Sequence, residues 1–173
     1  MSEALSQETI NRATSMPIVL DPCCGGRMFY FDKQNPNVLY ADCRTLDEEI
    51  YPNRYFKVAP NVIHDVKQML FDDETFWHVV FDPPHITHGG DNAWMVKKYG
   101  KLPPDWESLI RDGFTECWRV LKINGTLVFK WSAVDIPLAK VLKIIGRKPL
   151  YGQRVHSTPQ GRESHWLCYV KGV

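Results

Sequence analysis

A doubly wound α/β sheet, mostly parallel and with an antiparallel last strand, is the fold class this sequence predicts. Three observations point to it. Apolar runs of strand length recur along the chain, separated by helical or turn-rich stretches. Four of these runs lead into an aspartate: Asp21, Asp42, Asp65 and Asp82. The chain closes on two strand-like segments, 151–155 and 166–170, which read as a hairpin around a polar loop.

Taken in order, residues 1–15 are polar with scattered apolar positions and fit a short helix or an irregular lead-in equally well. Residues 16–20 form an apolar run ending at Asp21, a buried first strand. Pro22-Cys23-Cys24-Gly25-Gly26 is a turn, after which 27–31 can open a helix that Asn35-Pro36 cuts short. Residues 38–42, 61–65 and 77–82 are the second, third and fourth strands, each ending in an acid. Residues 106–121 carry helical spacing, with Trp106, Leu109, Ile110, Gly113, Phe114, Cys117, Trp118 and Leu121 on one face. Asp105 is placed to cap that helix and Asn124-Gly125 to stop it. Residues 126–131 form a fifth strand, and 136–145 a short amphipathic helix before the hairpin.

Composition narrows the class. The 173 residues suit one domain with a real core, with no separate target-recognition domain, and 44% of them are hydrophobic. No apolar run approaches the length of a membrane span, and no basic-then-apolar leader opens the chain, so a soluble cytoplasmic protein is expected. Five cysteines, an odd number without a C-x-x-C pair, argue for reduced thiols over a disulfide framework or zinc. His64, His78 and His165 lie in apolar stretches without ligand-spaced partners, so no metal is expected. A net charge of +1 restricts any nucleic-acid contact to local basic patches.

The chemistry concentrates in Asp82-Pro83-Pro84-His85, at the end of the apolar run 76–81. Such a segment suits methylation of an exocyclic amino group, whose lone pair is conjugated into its ring. Two acceptors aimed at the two N–H groups draw the nitrogen toward a tetrahedral shape and free that lone pair. The Asp82 carboxylate is one acceptor. The Pro83 carbonyl is the other, because neither proline brings an N–H and both hold φ fixed. His85 offers a ring on which a base can stack. The bland reading of an acid-proline pair is a strand-ending turn.

What lifts the motif above that reading is its company. Ligands of open parallel sheets sit beyond the carboxyl ends of the strands, where the four acids converge. Gly25-Gly26 lets backbone approach a ligand closely. Asp42 follows Asp21 by 21 residues, the position from which an acid meets ribose hydroxyls.

Together, LDPCCGGRMF, the acids of LYADCR and VIHDV, VVFDPPH and RVLKINGTLVFKW resemble the class I S-adenosylmethionine-dependent methyltransferases. They are most similar to the branch that modifies adenine N6 or cytosine N4 in nucleic acids. The resemblance covers residues 16–171. It implies that Asp21 and the loop of Pro22, Cys23 and Gly25 border the methionine part of S-adenosylmethionine, with Arg27 on its carboxylate. It further implies Asp42 on the ribose and Asp65 with the Val66 N–H at the adenine. Asp82, Pro83, Pro84 and His85 would then hold the target amine. The family position occupied by His85 is usually aromatic, so the histidine is a departure.

The 20-residue stretch 85–104 is long for a plain connection and mixes Gly89-Gly90 with Trp94, Lys97, Lys98 and Tyr99, so it is the expected substrate-binding segment. Arg154, His156 and Arg162 add weaker support from the 154–164 loop. The function expected is methyl transfer to a nucleic-acid amino group, adenine N6 in DNA first. An RNA-base or cytosine N4 enzyme is an alternative, and an inactive cofactor-binding partner subunit is another.

Overall fold

The computed structural model describes residues 16–156 and 163–173. The N-terminal lead-in and residues 157–162, Arg162 among them, lie outside the described residues; of the expected 154–164 loop, 154–156 and 163–164 belong to strands.

Seven strands form one sheet: β1 (Val19–Asp21), β2 (Val38–Asp42), β5 (Val62–Ile63), β6 (Phe76–Phe81), β7 (Leu121–Ser132), β8 (Tyr151–His156) and β9 (Glu163–Val170). A separate antiparallel ribbon pairs β3 (Leu46–Tyr51) with β4 (Arg54–Val58). The order across the large sheet is β5-β2-β1-β6-β7-β9-β8. Neighbours are parallel from β5 to β7, and β9 runs against both β7 and β8. The chain leaves β1 toward β2 on one side and returns to β6 on the other, which opens a crevice above β1 and β6.

Alternation along the strands divides their side chains between two faces. Leu39 and Ala41 of β2 join Leu20, Val79, Phe81, Leu127 and Phe129 in the main core. Helices α2 (Trp106–Val120) and α3 (Leu138–Ile145) close this face with Ile110, Phe114, Cys117 and Val141. Gly113 lets α2 lie close to the sheet, since a Cβ there would come within 3.1 Å of Phe81. On the opposite face Val38 and Tyr40 pack with Cys24 and Tyr30, from the turn-rich segment after β1.

Strands β1, β2, β6 and β7, the terminal hairpin, α2 and α3 lie over the predicted segments, whereas β5 covers only Val62–Ile63 and Asp65 lies two residues beyond its end. Other local features differ as well. Residues 27–31 form turns rather than a helix, with Arg27 in the left-handed region at φ 53°. Five residues between Gly26 and Asp32 are too few to nucleate a helix, and Tyr30 instead packs edge-on against Tyr40. The β3–β4 ribbon has no counterpart in the sequence reading. Asn53 turns it at φ 62°, and acidic outward positions obscure its alternation. Asn124-Gly125 does not end a helix. The chain passes straight from α2 into β7, and Asn124 bulges with its N–H on the Lys171 carbonyl at 2.8 Å. Asp105 does precede α2, but its carboxylate accepts the Ser108 hydroxyl at 2.7 Å rather than a backbone N–H.

All five cysteines are free thiols. Among the described residues no helix is long and apolar enough to cross a membrane, and no cluster of His, Cys, Asp or Glu could hold a metal ion.

Candidate functional site

A cavity of about 640 Å³ lies over the carboxyl ends of β1, β2, β5, β6 and β7. Pro22, Cys23 and Gly25 form one wall, Asp42, Asp65 and Val66 the next, and Asp82 through His85 the third. Lys98 and Tyr99 close the fourth side. Twelve of the sixteen residues assigned from the sequence to the cofactor, the target amine or the 85–104 segment therefore share one cavity. The exceptions are Asp21, Arg27, Trp94 and Lys97.

Asp42 organises the first two walls. It ends β2 nearly buried, and its Oδ2 accepts the Gly25 N–H at 2.9 Å while Oδ1 accepts the Arg44 N–H at 3.1 Å. Gly25 holds φ at 48°, in the left-handed region, and a Cβ there would meet no heavy atom within 4 Å. Its backbone thus faces open space on the cavity side. Asp65 is exposed, with Oδ1 accepting the Lys67 N–H at 2.8 Å, which leaves Oδ2 toward solvent. Buried His64 sits behind, its Nε2 3.2 Å from the Pro22 carbonyl, and burial lowers its pKa.

Asp21 does not line the cavity as expected. Its side chain is fully buried, Oδ1 accepts the Cys23 N–H at 3.2 Å, and the Tyr30 hydroxyl is the polar group facing the carboxylate, outside close hydrogen-bond geometry. Burial first, then the negative charge of Asp82, raises its pKa well above the ordinary carboxylate range. It acts from behind the Pro22–Gly26 turn instead of at its surface. Arg27 also lies off the cavity. Its guanidinium stacks 3.8 Å over the Tyr40 ring and donates to the Lys33 and Ala59 carbonyls, each at 2.6 Å. Those bonds tie down the turn segment and leave no free fork for a carboxylate.

At the third wall, Asp82 leaves β6 opposite Lys130 of β7, and Asp82 Oδ2 accepts from Lys130 Nζ at 2.6 Å. The rings of Phe29 and Trp166 flank that ammonium at 5.7 and 5.6 Å. Asp82 Oδ1 and the Pro83 carbonyl accept no hydrogen bond among the described residues. His85 tilts against Tyr99 at 5.7 Å. Burial lowers the His85 pKa, with Asp82 opposing and Lys130 adding, so the ring is neutral at neutral pH.

The segment expected as an open loop is built and braced. It contains α1 (Trp94–Tyr99), whose C-terminal end meets Arg44. Arg44 Nη1 donates to the Lys97 carbonyl at 2.7 Å, and Gly100, at φ 76°, abuts the Pro84 ring. Thr87 and His88 both bind the Asp135 carboxylate, and the Leu102 N–H meets the Ile86 carbonyl at 2.8 Å. Lys97 turns away from the cavity into an ion pair with Glu48 at 2.8 Å, and Trp94 is half exposed outside it. Lys98 and Tyr99 alone of the four expected substrate residues reach the cavity.

Sequence reasoning missed Arg44, Phe29 and Lys130. Lys130 carried a signal: it is a lone cation in the apolar strand LVFKW, one strand over from Asp82. Arg44 carried none for its hold on α1: its Nε lies 3.6 Å from Asp42 Oδ1 nearby in sequence, but the carbonyls it binds on α1 are more than fifty residues away.

No protein-family model and no curated protein sequence matches the chain. Solved structures do match. The PH0226 protein of Pyrococcus horikoshii aligns with a TM-score of 0.56 at 16% identity, over 94% of this chain and 85% of that one. An S-adenosylmethionine-dependent methyltransferase of Methanosarcina mazei aligns with a TM-score of 0.54 at 11% identity, over 88% and 91%. The 1,6-didemethyltoxoflavin-N1-methyltransferase of Burkholderia thailandensis, solved with S-adenosylhomocysteine, aligns with a TM-score of 0.52 at 16% identity, over 95% and 76%. At such identities the likeness establishes the fold alone: a Rossmann-like sheet, mostly parallel, with an antiparallel last strand.

Proposed function

We propose that the chain binds S-adenosylmethionine in this cavity and transfers its methyl group to an exocyclic amino group of a nucleic-acid base, adenine N6 in DNA. One observation carries the reading. Asp82 and Pro83, with Oδ1 and a carbonyl free, share a single cavity with the glycine turn and Asp42.

The residues present fit the cofactor. The cavity volume lies within the range of about 300–1,000 Å³ usual for small-molecule pockets. A carboxylate has about four lone-pair sites, so Asp42, which accepts from Gly25 and Arg44, retains capacity for ribose hydroxyls. The open backbone at Gly25 admits the methionine part, and Asp65 with Val66 borders the adenine. When bound, S-adenosylmethionine supplies an electrophilic methyl group on a sulfonium sulfur.

The chain's own groups prepare the acceptor nitrogen. Asp82 Oδ1 and the Pro83 carbonyl each accept one N–H of the target amine, which favours the tetrahedral nitrogen over the planar one. Asp82 then takes the proton that the alkylated nitrogen sheds. Neutral His85, held by Tyr99, presents a flat face to the base. Alignment of the nitrogen supplies most of the rate. A base inside a duplex cannot reach this cavity without leaving its stack, so single-stranded or mismatched substrates react at least as well as paired ones.

The test is transfer from labelled S-adenosylmethionine to duplex DNA, single-stranded DNA and RNA, followed by nucleoside analysis. N6-methyladenine in DNA is the result expected; label in RNA or on cytosine N4 reassigns the substrate. Asp82→Ala should lower single-turnover rate roughly a hundredfold, as loss of a preorganised group does, while cofactor affinity holds. A rate near the parent's removes the mechanism.

A further inference from the structure

The Asp82–Lys130 pair leaves a specific hydrogen-bonding pattern unfilled. An ammonium has three donors and no acceptor. Lys130 Nζ uses one on Asp82 Oδ2, and it makes no other hydrogen bond among the described residues. Asp82 Oδ1 is likewise free. The two side chains come from adjacent strands one step beyond the pairing of Phe81 with Phe129. Phe81 and Phe129 point into the core, so alternation turns Asp82 and Lys130 to the other side, where both line the cavity. Each is largely shielded, the side chains being 17% and 19% exposed.

Aromatic rings border the ammonium on its other sides. Phe29 and Trp166, in edge contact with each other at 5.4 Å, flank the ammonium. Trp166 is the β9 residue in register with Lys130, so the sheet itself sets that contact. The cavity wall therefore presents an acceptor and a donor side by side, held by carboxylate, rings and strand pairing.

We infer that Lys130 is a specificity-determining residue: it donates to a ring nitrogen adjacent to the amino group that Asp82 accepts, so that the pair reads the amino–imine edge of a base. This inference rests on the function proposed above. Adenine offers that edge as N6–H₂ beside N1, and cytosine as N4–H₂ beside N3. Guanine and uracil present a carbonyl where the amine would stand, which turns an acceptor toward Asp82. Donation to a ring nitrogen strengthens conjugation of the neighbouring amine in the ground state, so Lys130 contributes to substrate affinity rather than to the rate of transfer.

The experiment uses single-stranded oligonucleotides carrying adenine or 1-deazaadenine, and cytosine or 3-deazacytosine, with saturating S-adenosylmethionine. Single-turnover rates are followed across oligonucleotide concentration. Removing the ring nitrogen should raise the half-saturating concentration for the parent protein roughly ten- to a hundredfold, the value of a hydrogen bond to a charged group. Lys130→Met should show the same loss on the natural base and no further loss on its deaza analogue, whereas Lys130→Arg restores discrimination. Equal use of natural and deaza bases by the parent protein overturns the inference, and that comparison needs no variant. A deaza penalty undiminished in Lys130→Met overturns it too. Absence of transfer to any nucleic acid by the parent overturns the proposed function and this assignment together, whereas an active parent indifferent to the ring nitrogen overturns this assignment alone.

Discussion

Replacing Arg44 by methionine should unfasten α1 from the cavity. The helix spans six residues, Trp94–Tyr99, too short to persist on its own nucleation energetics. Its last carbonyls have no partner within the helix, apart from the Gly100 N–H on Val96 at 2.8 Å. Arg44 fills that gap from outside, with its guanidinium 2.7 Å from the Lys97 carbonyl and 3.4 Å from that of Lys98. A cation there also opposes the negative end of the helix dipole. Losing one hydrogen bond to a charged group costs roughly 1.5–3 kcal/mol. The lower end applies, because the side chain is 28% exposed and water recovers part of the loss. At 1.4 kcal/mol per factor of ten, local opening becomes about tenfold more frequent. Hydrogen exchange by mass spectrometry should show amides of 96–100 exchanging about tenfold faster in Arg44→Met, with α2 unchanged. Exchange within twofold of the parent across 96–100 refutes the claim that Arg44 holds this wall.

The other expectations concern charge. Asp42→Ala removes the acceptor for Gly25 and Arg44 as well as the proposed ribose contact, so S-adenosylhomocysteine affinity by calorimetry should fall roughly ten- to a hundredfold; unchanged affinity sinks the assignment. Buried Asp21 has a raised pKa, so the native state keeps its proton to higher pH than the unfolded chain, and stability is lost as pH rises from about 4 through the raised value. Asp21→Asn has no proton to lose and keeps an acceptor for Cys23, so its melting temperature should gain on the parent's with rising pH and then level off; a pH-independent difference contradicts this. Lys98→Ala should reduce the salt slope of nucleic-acid binding by about one counterion, and Lys97→Ala should not, because Glu48 already pairs with it. Equal slopes for the two variants, measured by anisotropy across salt, would show that the cavity wall makes no distinct contact.

Local chemistry and periodicity were enough for the elements that bury one face. The helical stripe through Ile110, Phe114 and Cys117, the short apolar strands and the aspartates that end or follow them are properties of consecutive residues, and they lie where spacing predicts, except that β5 stops at Ile63. The gathering of Gly25, Asp42, Asp65 and Asp82 at one crevice also followed, because parallel strands deliver their carboxyl ends to the same side. Tertiary structure decided what lies between those points. Arg27 stacks on Tyr40 and Lys97 pairs with Glu48, so two cations expected at ligands serve the scaffold. Asp21 ends a strand like its fellows, yet it is sealed behind the turn that Gly25 and Asp42 hold in place. Arg44 reaches α1, and Lys130 reaches Asp82, across 53 and 48 residues of chain respectively. Residue type and spacing specify which groups are able to ionise, donate or accept. Which partner each one meets depends on strand order and register, and those are set by how the whole sheet packs.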